Sequence, residues 1–472
     1  MSTPRIPIFL TMRLLSLLAI VLFLFSPVLA AQDAEEAGGE SQAVVPEAEA
    51  PPDISEVESW RETLLFGIND TVVELLPQLT ENREIELKDE VLELFERNNN
   101  RRVLQAALRY LEALEITEGH PRAFQLLEEW FDRPPEVIAE VLSYLNATDA
   151  TLREGDLDLL AEIARTTPVL RALGAVRLIA AQAEDASLLM ELYEDAGVHE
   201  DVQGRILVSL GERKDPEVFD FVMNILGDEE FAETALQRSA LDTLGRLEDP
   251  RGLPIILRQL DSSDAITRTH AIGALTRFTE EEAVRGIETG LRDEFWRVRV
   301  AALQTVGERN LESALRNVMF MVRQDPERRV RLDAISTLAA LDHPDGWELL
   351  HQRMKDRRVP VGERQLMIQV AMEQHTEATI PVVAEIVERE WDEENSVLLD
   401  TIGRQVSRIE SPALQELAGR LLEHPNFIIQ IYGIRSAGLN GFRQYREHIE
   451  ERRDAPHRAV QTAVSRALEQ LQ

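Results

Sequence analysis

One phrase occurs twice between Val298 and Leu341. The first copy reads Val-Arg-Val-Ala-Ala-Leu-Gln-Thr-Val-Gly. After an apolar helical pattern the second reads Val-Arg-Leu-Asp-Ala-Ile-Ser-Thr-Leu-Ala. At a shift of 32, Arg299 falls on Arg331, Ala302 on Ala334, Leu303 on Ile335 and Val306 on Leu338. A fixed period of this length does not build one compact core. It builds supersecondary units that bury their apolar faces against their neighbours.

Most of the chain can be set out on this period. Copies of the second helix begin near Arg171, Gln203, Gln237, Arg268, Arg299, Arg331 and Arg364, at spacings of 32, 34, 31, 31, 32 and 33. Three residues after each anchor stands a small or apolar residue, such as Ala240, Ala271, Ala302 or Ala334. It is small because neighbouring helices approach closely there, and a larger side chain would overpack the contact. The first helix of a unit is illustrated by Pro250 to Leu260 and the second by Arg268 to Phe278. Turns between units, such as Glu248-Asp249-Pro250, Asp342-His343-Pro344 and Glu410-Ser411-Pro412, place an N-cap before a first-turn proline. Beyond residue 390 the pattern loosens but persists in 397–409, 428–439 and 458–471. The expected fold is an all-α superhelix of stacked two-helix units, an α-solenoid.

The flanks divide the chain further. Residues 1–30 read as an export signal: Arg5 and Arg13 precede an apolar run from Leu14 to Phe25, and Val28-Leu29-Ala30 supplies a cleavage site. An uncleaved anchor is the alternative, but the run falls short of the roughly 20 residues that span a bilayer. Residues 31–56 are acidic and proline-bearing, a disordered linker. Residues 57–165 are helical but less regular, either divergent repeats or an N-terminal cap, and 166–472 form the repeat array.

These copies resemble the HEAT-like repeats, in particular the short variety of the phycobilisome-lyase type. The family pattern is carried by Val298-Arg299, Ala302, Leu303, Val306 and Gly307, and by Val330-Arg331, Ala334, Ile335 and Leu338, with Ala339 where glycine is usual. Gln237 replaces the arginine in the copy at Ala240, Leu241, Leu244 and Gly245. The resemblance implies a curved array used for binding. It also admits a lyase-like enzyme or enzyme subunit acting on bilin pigments.

Charge narrows the partners. The net charge is −35, with −29 on residues 1–236 and −6 on 237–472. Such a surface repels phosphates, so nucleic acid is an unfavourable partner. The chain has no cysteine, which excludes disulfides, thiolate metal sites, a cysteine nucleophile and a cysteine lipid anchor. No two of the nine histidines sit four apart, and phosphate-loop and nucleophile-elbow motifs are missing. No catalytic, metal or cofactor residues are therefore expected.

Two arginine sets stand out. Arg268, Arg299, Arg331 and Arg364 recur once per unit and should form a structural ladder, each paired with an aspartate of its own turn, from Asp264, Asp293, Asp325 and Asp356. The alternative is an anion-binding stripe. Arg297, Arg323, Arg328 and Arg329 belong to a local basic island and are candidate partner-binding residues. The functional expectation is an exported, non-enzymatic protein-binding scaffold of the cell envelope, with the bacterial periplasm first. It would have no stable membrane insertion after signal cleavage. A purely structural envelope protein is a further alternative.

Overall fold

The computed structural model describes residues 56–227 and 234–471. The expected signal and linker lie outside the described residues, except Glu56, which opens the first helix. The described residues hold 26 α-helices and no strand. In order the pairs are α1 (Glu56–Phe66) and α2 (Asn69–Glu81), α3 (Lys88–Arg97) and α4 (Arg101–Ala113), α5 (His120–Glu128) and α6 (Pro135–Ala147), α7 (Asp156–Ala164) and α8 (Val169–Gln182). They continue with α9 (Ser187–Glu194) and α10 (Glu200–Arg213), α11 (Pro216–Gly227) and α12 (Ala235–Leu247), α13 (Leu253–Arg258) and α14 (Ala265–Leu275), α15 (Glu281–Gly290) and α16 (Trp296–Glu308). The last are α17 (Leu315–Gln324) and α18 (Arg328–Ala340), α19 (Pro344–Lys355) and α20 (Val361–Gln374), α21 (Thr376–Glu390) and α22 (Val397–Val406), α23 (Gln415–Leu422) and α24 (Phe427–Leu439), α25 (Arg446–Glu450) and α26 (Arg458–Gln470).

Each even-numbered helix packs on the next even-numbered one without a break from α2 to α26, whereas the odd-numbered helices meet one another more sparsely. The chain is an α-solenoid, and the closely packed second helices form its tighter layer. Close approach explains the residues found there. A Cβ on Gly245 would lie 2.7 Å from the Ala274 Cα, and one on Gly438 would lie 2.9 Å from the Ala467 Cα. Ala240, Ala271, Ala302 and Ala334 are all fully buried.

Helix α16 shows how sequence makes a unit. Val298, Arg299, Ala302, Leu303, Thr305 and Val306 are buried, a stripe wide enough to face both neighbouring second helices and its own first helix. A fully buried leucine such as Leu303 contributes roughly 1.5–3 kcal/mol relative to exposure. The chain then reverses through Asn310, whose φ of 49° is left-handed. The same junction recurs after other second helices at Arg83, Glu115, Asp149, Lys214, Glu248 and Asp342. Three of these lie before residue 150, so the less regular N-terminal sequence turns its corners as the array does.

Two details differ from the sequence reading. Pro250 to Leu260 is not one helix: a 3-10 turn at Pro250–Gly252 precedes α13 and a second at Gln259–Asp261 follows it. Two prolines four residues apart, Pro250 and Pro254, remove backbone donors that a single longer helix would use. At the 342–344 junction the cap is His343, whose Nδ1 accepts from the Asp345 N–H at 3.2 Å. Asp342 is left-handed and instead accepts the Trp347 indole N–H at 2.7 Å. The expected caps Asp249 and Ser411 do accept the N–H two residues on.

Candidate functional site

Of the recurring arginines, Arg268, Arg299 and Arg364 are buried and Arg331 is half-buried, and the first three in chain order each reach in two directions. Arg268 donates through Nη1 to the carbonyl of Ser262 at 2.9 Å, and through Nε and Nη2 to the two carboxylate oxygens of Asp293 at 2.8 Å each. Arg299 repeats this with the Asp293 carbonyl at 2.9 Å and the Asp325 carboxylate at 2.8 and 2.9 Å. Arg331 takes the Asp325 carbonyl at 2.8 Å and one oxygen of the fully buried Glu363 at 2.8 Å. Arg364 breaks the pattern. Its Nε donates to the Met354 carbonyl at 2.7 Å, and Glu390 lies 4.0 Å away.

Two of the expected partners, Asp293 and Asp325, were therefore misassigned by one unit. An arginine binds the backbone of its own turn and the carboxylate of the following turn, so Asp293 pairs with Arg268 and Asp325 with Arg299. The reason is local geometry. The turn carbonyl six residues upstream faces the guanidinium, while the Asp293 side chain points back across the unit boundary and also accepts the Phe295 N–H at 2.7 Å. Burial alone would raise the Asp293 pKa. Hydrogen bonds from Arg268 and the Phe295 N–H, with the charges of Arg268 and Arg299, hold it below the ordinary value. Asp264 does not pair with Arg268 through its carboxylate. It caps α14 and accepts from Arg238 at 2.9 Å. Asp356 pairs with Arg358.

Other side chains stand at equivalent places elsewhere. Gln430 and Gln461 donate to the carbonyls of His424 and Ala455, six residues upstream, as the arginines do, but are too short to reach the next unit. Near the N-terminus, Tyr110 donates to the Glu84 carbonyl at 2.5 Å and Tyr144 to the Ile116 carbonyl at 2.6 Å. Each hydroxyl ties a second helix to the residue just past the left-handed corner of the preceding unit. Two tyrosines 34 residues apart were the sequence signal for this, and it was missed.

The island arginines lie at one edge, where first helices end and second helices begin. Arg297 is exposed and leans over the Trp296 ring at 5.3 Å. Arg328 is exposed and extends over Gly362 in the first turn of α20. Arg323 is exposed at the end of α17. Among the described residues none of these three has a carboxylate within ion-pair distance. Arg329 differs, because it bridges to Asp333 at 2.8 Å. Deeper in this edge, burial lowers the Arg353 pKa; Glu363 and Asp356 oppose the shift, and Arg323 and Arg331 add to it.

An open groove of about 700 Å³ lies between α19 and α21. Glu348, His351 and Lys355 share one face of α19, and the imidazole of His375 stacks on the Trp347 indole at 4.8 Å. His351 and Thr379 approach at 3.0 Å. The Thr379 hydroxyl is buried and lies 2.7 Å from the His375 carbonyl, which it can donate to. Burial first, then His375 and Lys355, lowers the His351 pKa. Among the described residues no group of three His, Cys, Asp or Glu side chains could hold a metal ion, and no helix is long and apolar enough to cross a membrane.

Residues 64–468 match the family described as Spirochaete HEAT repeat protein. No curated protein matches the chain. Similar solved structures include Kap95p in complex with RanGDP, at 12% identity over 88% of this chain and 66% of that one, TM-score 0.46. Importin beta is similar at 12% identity over 87% and 69%, TM-score 0.43. The CpcE–CpcF complex of phycocyanin lyase from Nostoc is similar at 14% identity over 62% and 96%, TM-score 0.30. The chain spans about half the length of another similar structure, Kap121p, at 53%.

Proposed function

Because the chain belongs to the Spirochaete HEAT repeat protein family, we propose that it is a non-enzymatic scaffold or adaptor of the cell envelope that binds protein partners. The observation that supports this reading is the unbroken layer of second helices. Side chains such as Arg297, Gln304 and Glu308 on α16 project from it. Such a layer offers a long contact surface without a deep pocket. Partner binding needs no cofactor, and the net charge of −35 disfavours nucleic acid. The envelope location rests on the signal-like residues 1–30, with the periplasm first and no stable membrane insertion after cleavage. Crosslinking in whole cells, followed by fractionation and mass spectrometry of the purified adducts, tests the proposal. One or a few specific envelope proteins are expected. A cytoplasmic location would remove the envelope part, and crosslinking without any specific adduct would favour a purely structural role.

The groove beside Trp347, His351 and His375 favours a second reading, an enzyme of the lyase kind that holds a pigment-like ligand. It brings aromatic, acidic and histidine side chains to one place. Absorbance of the purified protein after addition of linear tetrapyrroles decides it. An unchanged, colourless protein sinks this reading.

A further inference from the structure

We propose that the edge formed by α16, α17, α18 and the turn before α20 docks an extended acidic polypeptide segment with carboxylates at every third residue. The proposal names the partner class within the scaffold reading and rests on that reading.

The basis is a local charge imbalance. Acids in these turns are engaged by the inter-unit rungs and turn contacts: Asp293 with Arg268, Asp325 with Arg299, Glu363 with Arg331, and Asp356 with Arg358. Arg297, Arg323, Arg328 and Arg357 are left exposed at the same edge, with no carboxylate in ion-pair range among the described residues. The exposed acids that remain there, Glu294 and Glu327, are fewer than these arginines. In a chain of −35 this edge offers an anionic partner local attraction rather than repulsion. The N-termini of α16, α18 and α20 point to it and add positive partial charge.

The occupant follows from spacing. Packed helices lie roughly 8–10 Å apart, and Arg297 and Arg328 stand in the first turns of successive second helices. An extended chain of the polyproline II kind advances about 3.1 Å per residue with three residues per turn, so every third side chain returns to the same face and meets a new unit. Val361, exposed at the start of α20, and the half-buried Trp296 supply apolar contacts between the arginines. The rungs beneath hold the turns in place, so little ordering cost falls on the protein side. A folded acidic domain would touch the edge only at points.

The test uses the full chain and a fluorescein-labelled 12-residue peptide with glutamate at every third position, read by fluorescence anisotropy. A control peptide has the same composition with its glutamates in one block. The spaced peptide is expected to bind at least about tenfold more tightly than the block peptide, and to weaken as salt is raised. Arg297→Glu with Arg328→Glu should reduce binding at least about tenfold. It should leave the melting temperature unchanged, since neither residue is a rung. Equal binding of the two peptides, no binding, or no effect of the double charge reversal overturns the proposal. Tighter binding of a single-stranded oligonucleotide of equal charge also overturns it, in favour of nucleic acid. A specific adduct from whole-cell crosslinking that persists in the double variant would leave the scaffold reading standing while this inference fails.

Discussion

Arg299 and Asp325 join two repeats through a two-point contact, Nε and Nη2 donating to the two carboxylate oxygens at 2.8 and 2.9 Å, with both side chains almost wholly buried. Asp325 also offers its own carbonyl to Arg331. The result is a relay from Arg268 through Asp293, Arg299, Asp325 and Arg331 to Glu363. Arg299→Ala leaves a buried carboxylate without its partner, a loss that typically costs about 3–5 kcal/mol. Stability in a solenoid is local, so hydrogen-exchange protection should fall in α16 to α18 and stay near wild type in α24 to α26. Asp325→Asn added to Arg299→Ala should recover part of the loss. An unchanged melting temperature with loss of a partner would instead assign Arg299 to binding.

Asp264 gives a pH signature. Burial by itself would raise its pKa. The Thr267 hydroxyl and N–H, the Ile266 N–H and the charge of Arg238 outweigh burial and hold it at about 2, against an ordinary 3.8. A depressed carboxyl stabilises the folded state fully above 3.8, and that contribution is lost as pH falls toward about 2. The difference is on the order of 2 kcal/mol. Asp264→Asn keeps a cap but cannot titrate. Urea midpoints at pH 5 and pH 2.5 should therefore converge between wild type and variant at the lower pH, the wild type being more stable at the higher.

Tyr144 is fully buried, and its hydroxyl is the partner of the Ile116 carbonyl across a unit boundary. Tyr144→Phe keeps the ring and leaves that carbonyl without this donor, at about 1–3 kcal/mol. Tyr445 donates to the Gln415 carbonyl at 3.1 Å in an exposed setting. Water can replace that bond, so Tyr445→Phe should change stability by less than about 0.5 kcal/mol. Chemical denaturation of the two variants side by side separates these outcomes.

The period at Arg268, Arg299 and Arg331 was legible because alanine and leucine recur with it and packing dictates both. Second helices begin two or three residues before the anchors from Arg171 to Arg364. Pair identity was not legible. Asp293 stands six residues before Arg299 and 25 after Arg268, and sequence alone cannot say which guanidinium its carboxylate faces. The N-terminal corners were hidden for another reason. Glycine is the usual mark of a left-handed corner, and here Arg83, Glu115 and Asp149 occupy those positions. The edge had a compositional signal in its surplus arginines. Only the coordinates distinguish Arg329, paired with Asp333, from Arg297, Arg323 and Arg328.

Two glycines in neighbouring second helices separate close packing from helix propensity. Gly245 faces α14, where a Cβ would stand 2.7 Å from the Ala274 Cα and 3.0 Å from its carbonyl oxygen. Neither is the end of a flexible side chain, so the helices would have to move apart. Gly273 lies on α14 itself, is exposed, and a Cβ there meets nothing within 4 Å. Alanine is favoured over glycine within a helix by about 1 kcal/mol. Gly273→Ala should therefore stabilise the array by about 0.5–1 kcal/mol. The same propensity gain applies at Gly245, but overpacking a tight contact typically costs about 1–3 kcal/mol, so Gly245→Ala should be net destabilising. Opposite signs in the denaturation midpoints are expected. A Gly245→Ala variant as stable as Gly273→Ala would mean that the second helices are not in close contact at α12 and α14, and the assignment of the second helices as the tighter layer would fall with it.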